Sequence, residues 1–149
     1  MNQKILLKIF LCNLIAALFF NTANAQTTLL AESFEGATFP PTGWTVINAG
    51  SGPNSWEQID DVGYAYHGTK SMVYIYDADF AANTWAFTPP VTLNTNPCYI
   101  TFYVRVDLAT YPESMKFTVG NAATVAAQTT VLLDTANITN ETYRRWSAV

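Results

Sequence analysis

The chain has 149 residues, seven basic and eleven acidic, with a net charge of −4 and a composition that is 50% hydrophobic and 14% aromatic. A length of this order supports one domain with one core. The acidic balance argues against nucleic acid, whose affinity rests largely on neutralising phosphates, and against anionic membrane surfaces as partners.

Residues 1–25 read as a signal peptide rather than part of the fold. Lys4 and Lys8 give a positive start, Ile9 to Phe20 is apolar, and Ala23-Asn24-Ala25 fits a small-x-small cleavage site. The apolar run is too short, and too soon followed by polar residues, for a comfortable membrane span. Cys12 follows bulky Leu11, where lipid attachment would want a small residue, so ordinary cleavage before Gln26 is expected. The expected product is secreted or held at the cell surface, with no transmembrane segment after cleavage. It keeps five basic residues against eleven acidic, a net charge of −6, because Lys4 and Lys8 leave with the peptide. Cys98 is then the only cysteine, so no internal disulfide can form. Lying just before an apolar run, it reads as an inert buried thiol.

From residue 26 onward no stretch keeps a helical period with caps. Strand-length runs separated by turn residues recur instead. Leu29 to Glu35 is the first expected strand, with Phe34 inward. Phe39-Pro40-Pro41-Thr42-Gly43-Trp44 then makes a rigid corner, since two prolines stop a strand and Gly43 allows the backbone to turn. Trp44 to Ile47 and Ser55 to Ile59 follow as strands, divided by the loop Asn48 to Asn54. Val62 to Ser71 reads as a loop, Met72 to Tyr76 as a strand, and Thr84 to Phe87 as another before Pro89-Pro90. In Cys98 to Val106, residues Ile100, Phe102, Val104 and Val106 alternate with Tyr99, Thr101, Tyr103 and Arg105, which places the first set toward the core. Met115 to Val119, Thr129 to Leu133 and Tyr143 to Val149 complete about nine strands. The pattern predicts an all-β fold, an antiparallel β-sandwich. Trp146 to Val149 reads as a strand being entered, so residues 26–149 are expected to be a C-terminally truncated domain.

The ordered motifs Glu32-Ser33-Phe34-Glu35, Phe39-Pro40-Pro41-Thr42-Gly43-Trp44, Ser55-Trp56, His67-Gly68-Thr69-Lys70-Ser71-Met72, Thr84 to Val91, Tyr99 to Val106 and Tyr143 to Val149 resemble the cleaved-adhesin family. These are jelly-roll modules of secreted Bacteroidota proteins, also found as the adhesin domains of gingipain-type proteases. The resemblance implies a jelly roll, missing its last strands here, and a non-catalytic module for adhesion or for carbohydrate and protein binding. It also implies a structural calcium near the first strand, to which Glu32 and Glu35 would contribute.

The candidate sites weigh against chemistry. Asp77, Asp79, Asp60 and Asp61 could supply hard oxygens, but no glycine-spaced loop or distal glutamate makes an EF-hand, so solvated turn carboxylates are the simpler reading. His67 is the only histidine, and no Gly-x-Ser-x-Gly elbow accompanies it. Gly63 to Ser71 approximates a phosphate-binding loop with one insertion, yet a strand follows where a helix N-terminus is needed. Trp44, Trp56, Trp85 and Trp146 are expected core anchors. Tyr64, Tyr66, Tyr74 and Tyr76 are the candidates for an exposed sugar-stacking surface, flat apolar faces carrying a hydroxyl. The leading expectation is a secreted adhesin-type binding module for a surface glycan or protein, with structural calcium as the sole candidate cofactor. The alternatives are the accessory domain of a larger secreted hydrolase or protease, and a structural spacer.

Overall fold

The computed structural model of the protein describes residues 27–93 and 97–149. The signal-peptide reading of residues 1–25 therefore lies outside the described residues.

Among the described residues eight strands form, and all pair antiparallel. They are β1 (Thr45–Asn48), β2 (Trp56–Asp60), β3 (Lys70–Tyr74), β4 (Thr84–Phe87), β5 (Ile100–Val104), β6 (Glu113–Val119), β7 (Thr130–Ile138) and β8 (Arg144–Ala148). The all-β antiparallel class expected from the sequence is borne out. The pairing is nested twice: β1 pairs β4 around the β2–β3 hairpin, and β5 pairs β8 around the β6–β7 hairpin. Each half is thus a folded-over double hairpin, and the proline-bearing stretch after Phe87 leads from one half to the other.

The expected first strand does not form. Phe34 sits at φ 63, outside the extended region that a bulky residue favours. Its N–H donates to Glu32 Oε1 at 2.6 Å, and its carbonyl accepts from Gln58 Nε2 at 2.6 Å. Side chains have taken the backbone groups that a ladder would have used. Phe34 still points at the corner, edge-on to Trp44 with ring centres 5.4 Å apart. That corner closes through Trp44 N–H to Pro41 carbonyl at 2.9 Å, with Gly43 at φ +82 as a turn of this kind requires.

Strand ends follow side-chain capture elsewhere too. The run Met72 to Tyr76 was expected to be extended throughout, but β3 stops at Tyr74. Asn54 Nδ2 donates to the carbonyls of Ile75 and Tyr76 at 3.0 and 3.2 Å and so replaces the ladder there. At its other end β3 begins at Lys70, opposite Asp60, which it faces at 3.7 Å. β7 runs on past Leu133 to Ile138, with Asp134 opposite Lys116 and an ion pair of 2.9 Å between them.

The core is small. Phe87, Val106, Ile138 and Ala148 are its buried hydrophobic residues. Trp44, Trp56, Trp85 and Trp146 are each only half-buried, so they rim the core rather than fill it. Between the elements opens a cleft of about 4070 Å³, lined among others by Phe102, Phe117, Leu132 and Trp85. That is several times the roughly 300–1,000 Å³ of a ligand pocket, and its lining also includes Tyr66, Tyr103 and Tyr143.

Candidate binding site around Tyr66

The loop between β2 and β3 carries the first site residues, and three anchors hold it. At its start, Asp61 Oδ1 accepts from Gly63 N–H at 2.8 Å and the Asp61 carbonyl accepts from Tyr64 N–H at 2.9 Å, a tight turn. In the middle, Arg105 donates from Nη2 to the Gly63 carbonyl at 3.2 Å, and the Tyr143 hydroxyl donates to the Tyr64 carbonyl. At its end, the Glu35 carboxylate accepts from Thr69 N–H at 3.1 Å and from Lys70 N–H at 2.8 Å. Gly68, at φ +76, lies so near that any β-carbon there would collide with the Glu35 carboxyl group. Lys70 Nζ and Gln58 Nε2 both donate to the Gly36 carbonyl, at 3.3 and 2.9 Å, fastening the Glu35 segment to the same hairpin.

The loop thereby presents Tyr66 to the far half of the molecule. Its ring stacks on Tyr103 of β5, with centres 4.0 Å apart and planes 16° from parallel. Tyr143 meets it edge-on at 5.3 Å and His67 at 4.4 Å. Tyr66 and Tyr103 remain 44% and 42% exposed. Arg105 lies beneath, its guanidinium carbon 4.8 Å from the Tyr64 ring centre and 5.8 Å from that of Tyr143. Arg105 Nη1 also donates to the Glu141 carbonyl at 3.0 Å, while the Glu141 carboxylate accepts from Ala109 N–H at 2.8 Å. Asn140 Nδ2 reaches the Val104 carbonyl at 2.7 Å, which fixes the turn before β8 against the end of β5. The hydrogen bond to Tyr103 is the main cause that raises the Tyr66 phenol above its ordinary 10.0, with desolvation second.

Of the four expected tyrosines, the structure brings Tyr64 and Tyr66 together and leaves the other two elsewhere. Tyr74 packs edge-on against Trp56 at 6.1 Å, a cross-strand pair of the β2–β3 hairpin. Tyr76 is 72% exposed beyond the end of β3, its carbonyl tied to Asn54. The residues that sequence reasoning missed are Tyr103, Arg105 and Tyr143. The alternation in β5 does place Tyr103 and Arg105 on the face away from the core, and that was the available signal. The β5–β8 pairing that delivers Tyr143 is long-range and leaves no local mark.

The acidic candidates have local roles. Asp77 Oδ1 accepts from Asp79 N–H at 2.9 Å and Phe80 N–H at 3.2 Å, closing a turn. Calcium needs six to eight oxygens converging at about 2.3–2.6 Å. Glu32 instead turns to its own segment and Glu35 to two backbone amides, and among the described residues no three of His, Cys, Asp or Glu gather. In this structure Glu35 serves as a loop anchor, its carboxylate engaged by the backbone amides of Thr69 and Lys70.

The anchor role has a measurable consequence. Glu35→Ala leaves Thr69 and Lys70 N–H without their acceptor, and charge-assisted bonds of this kind at a partly exposed site are worth about 1–2 kcal/mol together. Hydrogen exchange at those two amides should accelerate while amides of β6 and β7 keep their protection. Unchanged exchange at Thr69 and Lys70 would contradict the assignment.

No protein-family model matches this chain, and no curated protein or solved structure matches it either. The likeness to cleaved-adhesin modules rests on the motifs of this sequence alone. Fold and site together describe an all-β antiparallel domain with an exposed aromatic surface where its two halves meet.

Proposed function

We propose that the chain is a secreted, non-catalytic binding module of the adhesin type, whose ligand is an extracellular glycan or protein. The Tyr66–Tyr103 stack is the observation that carries this reading. Large aromatic rings cost conformational entropy and hydration when they are ordered at a surface, and tyrosine is enriched where surfaces recognise partners. Two of them stacked, nearly half exposed and held by three sets of loop anchors form a preorganised surface. His67, the one imidazole that a catalytic triad could use, packs its ring on Tyr66 and so belongs to the same surface.

A panel of immobilised glycans and extracellular matrix proteins tests the reading. Saturable binding to at least one of them is the expected result. Binding to none would overturn the module and favour a structural spacer. An accessory domain of a larger secreted hydrolase would bind that enzyme's own polymeric substrate. Calcium enters through the same protein: melts with added calcium and with a chelator are expected to coincide, since Glu35 is spent on backbone amides. A midpoint raised by calcium would show an ion bound to the native state and return Glu32 and Glu35 to the ligand list.

A further inference from the structure

Among the described residues no strand of one half pairs with a strand of the other: β1 to β4 pair among themselves, and so do β5 to β8. The β2–β3 loop makes a connection that the ladders do not. The far half grips the middle of this loop with the side chains of Tyr103, Arg105 and Tyr143. Arg105 Nη2 donates to the Gly63 carbonyl at 3.2 Å, and the Tyr143 hydroxyl donates to the Tyr64 carbonyl. Tyr103 takes the face of Tyr66 with ring centres 4.0 Å apart, Tyr143 meets its edge, and the Arg105 guanidinium lies over the Tyr64 ring. Tyr64, Tyr66, Tyr103, Arg105 and Tyr143 all line the large cleft, to which both halves contribute.

The loop is held unequally on its two sides. Its backbone N–H groups at Gly63, Tyr64, Thr69 and Lys70 are satisfied within its own half, by Asp61 and by the Glu35 carboxylate. Toward the far half it offers carbonyls, and on release water takes the place of the lost donors. Tyr66 and Tyr103 are already nearly half exposed, so parting them uncovers only the remainder of two rings. The far half keeps its side of the contact in place as well. Arg105 Nη1 is fixed by the Glu141 carbonyl at 3.0 Å, and Asn140 Nδ2 holds the turn before Tyr143 on the Val104 carbonyl at 2.7 Å. Two surfaces that each keep their shape alone meet in discrete states, joined or parted.

We infer that residues 61–69 form a releasable strap, which sets how far apart the two double hairpins stand across the cleft. With the strap joined, the halves move as one body. With it parted, they stay linked by the chain after Phe87 and reorient about it, and the cleft changes width while the strand ladders persist. The device is independent of what the module binds.

Residual dipolar couplings of the backbone amides, measured by NMR, test this. In the wild type one alignment tensor should fit the strands of both halves. Tyr66→Ala combined with Tyr143→Phe removes the stack and the hydroxyl bond while sparing Arg105, Glu35 and every strand. Each half should then fit a tensor of its own, with the single-tensor fit lost and the hydrogen-exchange protection of β2, β3, β6 and β7 unchanged. Tyr143→Phe alone keeps the ring, should move the couplings part of the way, and serves if the double variant does not fold. Tyr74→Ala breaks an aromatic pair inside one half and should leave the single tensor in place. A folded double variant that still fits one tensor would overturn the strap. So would a wild type whose halves already need separate tensors. Loss of exchange protection throughout one half of the variant would overturn it too, because the loop would then belong to that half's cooperative core. None of these outcomes bears on the panel of glycans and proteins, which tests the binding module separately.

Discussion

Arg105→Ala is expected to destabilise the protein by about 2–3 kcal/mol and to release the loop that carries Tyr66. The guanidinium donates to the carbonyls of Glu141 and Gly63. Bonds involving a charged group contribute about 1.5–3 kcal/mol net when buried, and less here because the arms are part-exposed. The substitution also forfeits two cation–π contacts worth about 0.5–1 kcal/mol each at such a site. Chemical denaturation measures the loss. Tyr64 and Tyr66 ring signals should broaden or shift in the native state of the variant. Arg105→Lys separates charge from shape: an ammonium keeps the charge but cannot span both carbonyls in one plane, so it should recover less than half of the loss. Full recovery by lysine would mean that the forked geometry is irrelevant.

Ile138→Ala is expected to cost about 2–4 kcal/mol, the range for truncating a buried aliphatic side chain. Ile138 is the most buried of the core residues, 3% exposed, at the end of β7 opposite Glu113. Because the buried core is small, no neighbouring cluster takes over its contacts, and one residue carries a large share of the stability. The comparison is Val62→Ala on a 73% exposed side chain, expected within about 0.5 kcal/mol of the parent. Equal effects at the two positions would mean that β7 does not pack as described.

Much of the strand content was legible because alternation is local. Ile100, Phe102 and Val104 are half-buried while Thr101 and Tyr103 are exposed, and Val106 is buried, as the period of two in β5 requires. The limits of strands were less legible, since side chains from distant residues decide them: Asn54 ends β3, and Glu32 and Gln58 claim the backbone of Phe34. In β6, Val119 continues the alternation of Met115 and Phe117, yet beyond the register shifts between Glu113 and Met115 and between Phe117 and Thr118 it is 42% exposed. The tyrosine expectation divided for the same reason. Tyr64 and Tyr66 share a loop, whereas Tyr103 and Tyr143 join them through side-chain contacts with residues far away in sequence, 79 positions in the case of Tyr143 and Tyr64. Glu35 was singled out for its charge near the first strand. Its structural task, holding Thr69 and Lys70, depends on a contact 34 residues away that composition does not reveal.

The central claim is that the molecule recognises its ligand through the Tyr66–Tyr103 stack. The most direct test takes the glycan and protein panel with wild-type protein and repeats it with Tyr103→Ala. That variant leaves the loop anchors at Arg105, Tyr143 and Glu35 intact and removes one ring of the stack. The account predicts that ligands bound by the wild type are lost or weakened by about tenfold or more, with the melting midpoint changed by only a few degrees. Undiminished binding by a folded Tyr103→Ala variant would contradict it and place recognition elsewhere on the molecule.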